Sequence, residues 1–295
     1  MKRIYPVLFV LAASLALVSC REEVLDPVSV ITLDQRTQND FDKWLDANYV
    51  TPYNILVKYR YESNESDLNY WTIPARLDCS IVMAHLVKYL CIDTYDEVGG
   101  VRFTQKYFPK EFFYIGEWEY KNNGTYILGT AEGGRKILLS GTNYLSLYLK
   151  NADDLNTYYL KTIHHEFTHI LNQTKDYPAD FQMITGTDYV ADKWSESPFD
   201  TDYLQRGFIS AYAQHSDKED FAELLSMYVC NPADRWSTWL REAGSNGAHI
   251  ITAKMEIVKS YMLSTFNIDL DQLRSSVQRR QKQVVSGYVD LTSLE

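Results

Sequence analysis

His165-Glu166-Phe167-Thr168-His169 is the stretch of this chain whose residue types and spacing are suited to chemistry. On a helix, residues four apart share a face, so both imidazoles can reach one ion at the roughly 2.0–2.1 Å that zinc requires. Glu166 then stands beside the ion, placed to take a proton from a water whose pKa the metal lowers to about 7. Leu160, Ile163, Phe167, Ile170 and Leu171 fall on the opposite side, the apolar stripe a packed helix needs. His164 projects elsewhere on the wheel and reads as a support behind the ligands or as packing, not as a ligand.

A catalytic zinc takes three protein ligands and keeps one position open. The continuation that would supply a third histidine beyond a glycine is absent, because Asn172 and Lys175 hold those places. The third ligand must come from further along, and the candidate segment is Tyr212-Ala-Gln-His215-Ser216-Asp-Lys-Glu219-Asp-Phe-Ala-Glu223. Phe221, Leu224, Leu225 and Tyr228 form its apolar face, while Glu219 and Glu223 share another face at i, i+4. One carboxylate can close a His-His-Glu site and the other can orient a ligand histidine from behind. Glu219 has a second explanation, since Ser216-Asp-Lys-Glu219 is also a capping box. His215 lies beside the same loop, within reach of a substrate, though packing or solvent exposure is the plainer account of it.

These residues need elements to hold them. The composition Asn54 to Glu62 suits a strand, and Ile73 to Leu90, opened by Pro74, predicts a helix. From Val101 to Leu149, aromatic and β-branched stretches are cut by glycines, the punctuation of short antiparallel strands and hairpins. Gly129-Thr-Ala-Glu-Gly133-Gly134 is not followed by Lys-Ser/Thr, so it reads as a turn and no phosphate loop. After Asp154 the pattern is helical to Lys282, interrupted by a polar loop near 175–205. The expectation is an α+β fold, with an N-terminal antiparallel sheet ahead of the motif helix and a helical C-terminal half.

With 295 residues, 45% apolar and 23% charged, the chain can bury a large core. Lys+Arg total 29 against 39 Asp+Glu, a net charge of −10, and the densest basic run, Arg279-Arg280-Gln281-Lys282, reads as a solvated helix end. No nucleic-acid partner is expected. Lys2-Arg3, the apolar Pro6 to Val18 and Leu17-Val18-Ser19-Cys20 predict a signal peptide over 1–19. The last four residues resemble a bacterial lipobox, which implies lipidation of Cys20 and a tether over 20–40. Arg21-Glu22-Glu23 resembles the surface-export signal of some Gram-negative lipoproteins. Cys79, Cys91 and Cys230 are then an odd number, read as small buried hydrophobes.

The chain resembles the gluzincin metallopeptidases, and among them the zinc metallohydrolase lipoproteins associated with outer-membrane substrate import. The resemblance runs through Pro52-Tyr53-Asn54-Ile55, Leu128-Gly129-Thr130-Ala131-Glu132-Gly133-Gly134, His165-Glu166-Phe167-Thr168-His169 and Glu219-Asp220-Phe221-Ala222-Glu223. It implies a zincin-like metallopeptidase domain over 41–295 that binds Zn²⁺ and hydrolyses peptide or protein substrates. It also implies a place on the outer membrane, exposed at the cell surface, with import proteins as partners. In one narrower respect the lethal-factor and Pro-Pro-endopeptidase group is similar: a tyrosine seven residues before the glutamate ligand. That likeness implies Glu219 as third ligand, Glu223 behind it, and Tyr212 as donor to a developing oxyanion. A second reading is a non-catalytic, substrate-binding accessory lipoprotein of an import system, for which 14% aromatics with 23 Tyr suits a groove. Glu166 speaks against it, since a purely structural zinc site has no use for a base.

Overall fold

In the computed structural model, the residues described are 37–295 except 66, 68, 121–125, 133 and 134. The expected signal peptide, Cys20 and most of the tether lie outside them, as do Asn122-Asn123-Gly124 and Gly133-Gly134. Asn39–Glu295 forms one compact unit. It opens on helix α1 (Asp40–Leu45), which is capped reciprocally. Asn39 Oδ1 accepts the Asp42 N–H at 2.8 Å and the Asp42 carboxylate accepts the Asn39 N–H at 2.9 Å.

The α+β class holds, but the sheet is mixed, not antiparallel. Strand β1 (Leu56–Lys58) runs parallel to β2 (Glu111–Tyr114), with Val57 opposite Phe112. β2 runs parallel to β6 (Lys136–Leu139), and β5 (Gly129–Glu132) closes antiparallel on β6, giving the order β1-β2-β6-β5. A separate antiparallel ribbon pairs β3 (Glu119–Tyr120) with β4 (Tyr126–Ile127). The physical reason lies in the connections. Between β1 and β2 the chain spends itself on α2 (Leu77–Val87), α3 (Asp93–Gly99) and α4 (Val101–Tyr107), a helical crossover of the kind parallel neighbours need. Val101–Tyr107 was expected as extended chain; Gly100, at φ +80°, breaks one helix and starts another instead. The helix expected over 73–90 begins at Leu77, because Pro74 is drawn into a bridge with Ile115. It then runs on as a π turn to Ile92.

The stretch from Gly129, expected as a turn, is the edge strand β5. A Cβ at Gly129 would meet Leu138 O at 2.6 Å and the Thr162 methyl at 2.7 Å, so this strand can lie on its neighbours only with glycine there. Thr162 belongs to α5 (Lys161–Thr174), the helix that carries the histidine motif. A cap by Asn151 and a π turn, Asn156–Leu160, lead into it. Its apolar stripe is buried as the periodicity requires. Phe167 packs edge-on to Tyr95 (4.9 Å) and Phe108 (4.8 Å), locking α5 against α3 and the lead-in to β2. The C-terminal half adds α6 (Asp217–Cys230), α7 (Ala233–Glu242), α8 (Gly244–Phe266) and α9 (Leu270–Val285). Cys79, Cys91 and Cys230 are buried thiols. No helix among the described residues is long and apolar enough to cross a membrane.

The basic run on α9 is not simply solvated, as Arg279 and Arg280 both grip Glu97 of α3, at 2.6 and 3.2 Å. Arg279, with Ser276 and Arg280, holds the Glu97 carboxyl down to about 2 against a modest burial penalty. Arg60 does the same for Asp42, and Lys58 and Lys136 for Glu65, each also to about 2. A carboxylate whose folded pKa is depressed contributes stability above its unfolded pKa and loses it as pH falls through the folded one. Resistance of the metal-free protein to urea, followed by circular dichroism, is therefore expected to be full above pH about 4.5 and to decline steeply toward pH about 2. A midpoint unchanged between pH 5 and pH 2.5 would count against these clamps.

Candidate metal centre and cleft

Helix α5 presents Lys161, His165 and His169 in one row, four residues apart, with Thr162 and Glu166 in the adjoining row. Helix α6 crosses it, capped by Ser216, whose Oγ accepts the Glu219 N–H at 3.3 Å. The Ser216 half of the capping box therefore exists. The Glu219 carboxylate goes to the histidines instead. Its Oε2 lies 2.9 Å from His165 Nε2 and 3.2 Å from His169 Nε2, and the two imidazole nitrogens stand 3.0 Å apart. Ligands at about 2.0–2.1 Å around a tetrahedral zinc are separated by about 3.3 Å, so this donor set fits the ion with movements of a few tenths of an ångström. Among the described residues, His165, His169 and Glu219 form the cluster able to hold a metal.

Glu223, one turn beyond Glu219, is almost wholly buried and does not join the three donors. Its Oε1 is 2.9 Å from His165 Nδ1, on the far side of the ring from the cluster, in ionic contact but poorly aligned for a hydrogen bond. Lys161 Nζ donates to both Glu223 oxygens at 3.0 and 3.3 Å, and Ser210 Oγ donates to Oε2 at 2.6 Å. Burial alone would raise the Glu223 carboxyl, yet Lys161, His165 and Ser210 outweigh it and keep the group ionised. Glu219 follows the same balance: burial opposes its charge, and the two histidines hold it well below the usual carboxylate range. Burial disfavours the His165 cation, but Glu219 and Glu223 overcome this and push its pKa up to about 10. A metal entering the site must displace that proton.

A cleft of about 580 Å³ lies over the cluster. Its floor is the α5 double row, including Glu166. One wall is Tyr126, Ile127 and Leu128 leading into Gly129 and Thr130 of the edge strand; the other is Trp194 and Tyr212. Tyr212 sits on a short 3-10 turn (Tyr212–Gln214), half-buried, its ring 6.0 Å from that of His165 and edge-on to Trp194 at 5.2 Å. Burial, then the charges of Glu219 and Glu166, push its phenol far above its ordinary pKa, so it remains a proton donor. The Val190 N–H donates to Gln214 O at 2.8 Å, fastening the Trp194 segment to the turn.

His164 points away, fully buried, with Nδ1 3.1 Å from the Tyr95 hydroxyl, and burial lowers its pKa to about 4. His215 lies outside the cleft lining, 3.4 Å from an Asp192 oxygen. Sequence reasoning missed Lys161, Ser210 and Trp194. Lys161 was within reach, being one helical turn before His165 on the same row. Ser210 and Trp194 carried no signal, since their place depends on how the connection before α6 folds.

A family model described as "Putative zinc-binding metallo-peptidase" matches residues 34–271. Among solved structures, the chain is similar to one titled as a putative zinc-binding metallo-peptidase from Bacteroides caccae ATCC 43185. The identity is 38% and the TM-score 0.75, covering 90% of this chain and 100% of that one. None of the curated proteins compared with the chain matches it.

Proposed function

The chain belongs to this zinc-binding metallo-peptidase family, and on that premise we propose that it hydrolyses peptide bonds in the cleft over His165, His169 and Glu219. The observation that carries the reading is the convergence of those three donors beside Glu166 on the floor of a cleft that an edge strand borders. Zinc, when bound, supplies Lewis-acid chemistry: it polarises the scissile carbonyl and acidifies a water. His165, His169 and Glu219 would hold it, with Glu223 orienting His165 from behind.

Glu166 accepts the proton of the attacking water at its carboxylate and passes it to the leaving amine. The Tyr212 phenol, kept protonated by its surroundings, donates to the oxygen that gains charge as the carbonyl becomes tetrahedral. Among the described residues β5 is paired with β6 on one side only, so an extended substrate can add to its open edge. This supports the alignment of a peptide past Gly129 and Thr130.

We further assign the protein to the outer-membrane surface, lipidated at Cys20 and working beside import proteins. The Leu17-Val18-Ser19-Cys20 box and the resemblance to import-associated lipoproteins support that assignment. Palmitate labelling that survives Cys20→Ala would remove the anchor. The peptidase reading is tested with the protein as purified, by elemental mass spectrometry and a mixed peptide library. About one zinc per chain is expected, with cleavage lost on chelation and restored by zinc. A zinc-loaded chain that leaves the library intact would overturn the reading.

A further inference from the structure

The acids of α6 other than Glu219 are taken up by the connection 175–216. Asp217 Oδ2 accepts from the Tyr177 hydroxyl at 2.5 Å and Gln182 Nε2 at 2.6 Å. Asp220 Oδ2 accepts from the Tyr189 hydroxyl at 3.0 Å and from buried Lys254 at 2.6 Å; the Lys254 ammonium also donates to Gly207 O at 3.0 Å. Glu223 accepts from Ser210. Spaced by three, these carboxylates form a stripe along the helix and seat the connection at successive points.

The Ser210 contact differs from the others because it reaches the candidate centre. A hydroxyl has one proton and two lone pairs. Ser210 gives the proton to Glu223 Oε2 and accepts the Ala213 N–H at 3.1 Å. One oxygen thus joins the carboxylate behind His165 to the turn bearing Tyr212. Lys161 contacts both Glu223 oxygens independently, so Glu223 stays ionised and in place without Ser210.

We propose that Ser210 is a positioning residue: its bridge from Glu223 to the Ala213 amide sets the Tyr212 phenol relative to His165. The inference rests on the role given above to Tyr212. Small displacements of a group that acts on the transition state lower turnover, not ground-state affinity. In Ser210→Ala, therefore, kcat should fall about tenfold or more, with KM and zinc content unchanged. Ser210→Thr, which keeps the hydroxyl, should restore most of it.

Two further readouts separate this from a general loss of structure. Amide exchange at Ala213 should accelerate at least tenfold in Ser210→Ala and recover in Ser210→Thr, in zinc-loaded protein. In a double-mutant cycle, Ser210→Ala combined with Tyr212→Phe should cost no more than Tyr212→Phe alone. Unchanged exchange at Ala213, an unchanged kcat, or penalties that multiply in the double variant would each overturn the proposal. Failure of the peptidase reading looks different: the wild type then hydrolyses no peptide, while Ala213 exchange still responds to Ser210→Ala.

Discussion

Replacing Glu166 with glutamine is expected to leave a folded protein with about one zinc per chain and to slow peptide hydrolysis by a factor of about 10²–10⁴, the range general-base catalysis supplies. Glutamine keeps the shape of the side chain and its place on α5, one residue from His165, but its amide cannot accept a proton. His165, His169 and Glu219 do not depend on it, as their donors converge without the Glu166 carboxylate. The loss should therefore fall on kcat, with KM little changed, because the removed interaction belongs to the transition state. Steady-state kinetics on a cleaved peptide, beside elemental analysis of the same preparation, checks both halves. Wild-type turnover in the glutamine variant would remove Glu166 from the mechanism.

Glu219→Ala should instead empty the centre. Losing a partner that merely orients a ligand typically costs 10–100-fold in metal affinity, so losing a ligand should cost more than about 100-fold. Zinc content after dialysis should then drop far below one per chain, and hydrolysis with it. Glu223→Gln is the informative companion. Glu223 faces the Nδ1 side of His165, away from the donor cluster, so this variant should weaken zinc only about 10–100-fold. A larger loss in Glu223→Gln than in Glu219→Ala, measured by competition with a chromophoric chelator, would mean that the two glutamates exchange roles. Folding is a lesser concern for Glu219, whose carboxylate is taken up by the histidines and not by the helix cap.

The motif, its helix and its apolar face were legible in the residues alone, because the 3.6-residue period dictates which side chains share a face whatever surrounds them. His165 and His169 had to project together, and Phe167 had to point into the core. Local order failed where pairing is non-local. Nothing in Gly129-Thr-Ala-Glu says that it closes a sheet on β6, nor that β1, β2 and β6 run parallel, because strand direction follows from where long connections pass. The same limit explains Val101–Tyr107: its aromatic and β-branched composition suits a strand, and burial of Phe103 among helices overrides it.

The choice between Glu219 and Glu223 shows the division most plainly. On the α6 helix they share a face and are chemically identical, so spacing left both open. The crossing of α6 over α5 separates them, bringing Glu219 to the Nε2 atoms and Glu223 to Nδ1 and Lys161. The sequence by itself determined a two-histidine, one-base helix in want of a third ligand, because helical periodicity is a property of the backbone. Which carboxylate completes the set, which strand borders the cleft and what holds Tyr212 over it were decided only by tertiary packing, since each depends on contacts between separate elements that helical periodicity does not bring together.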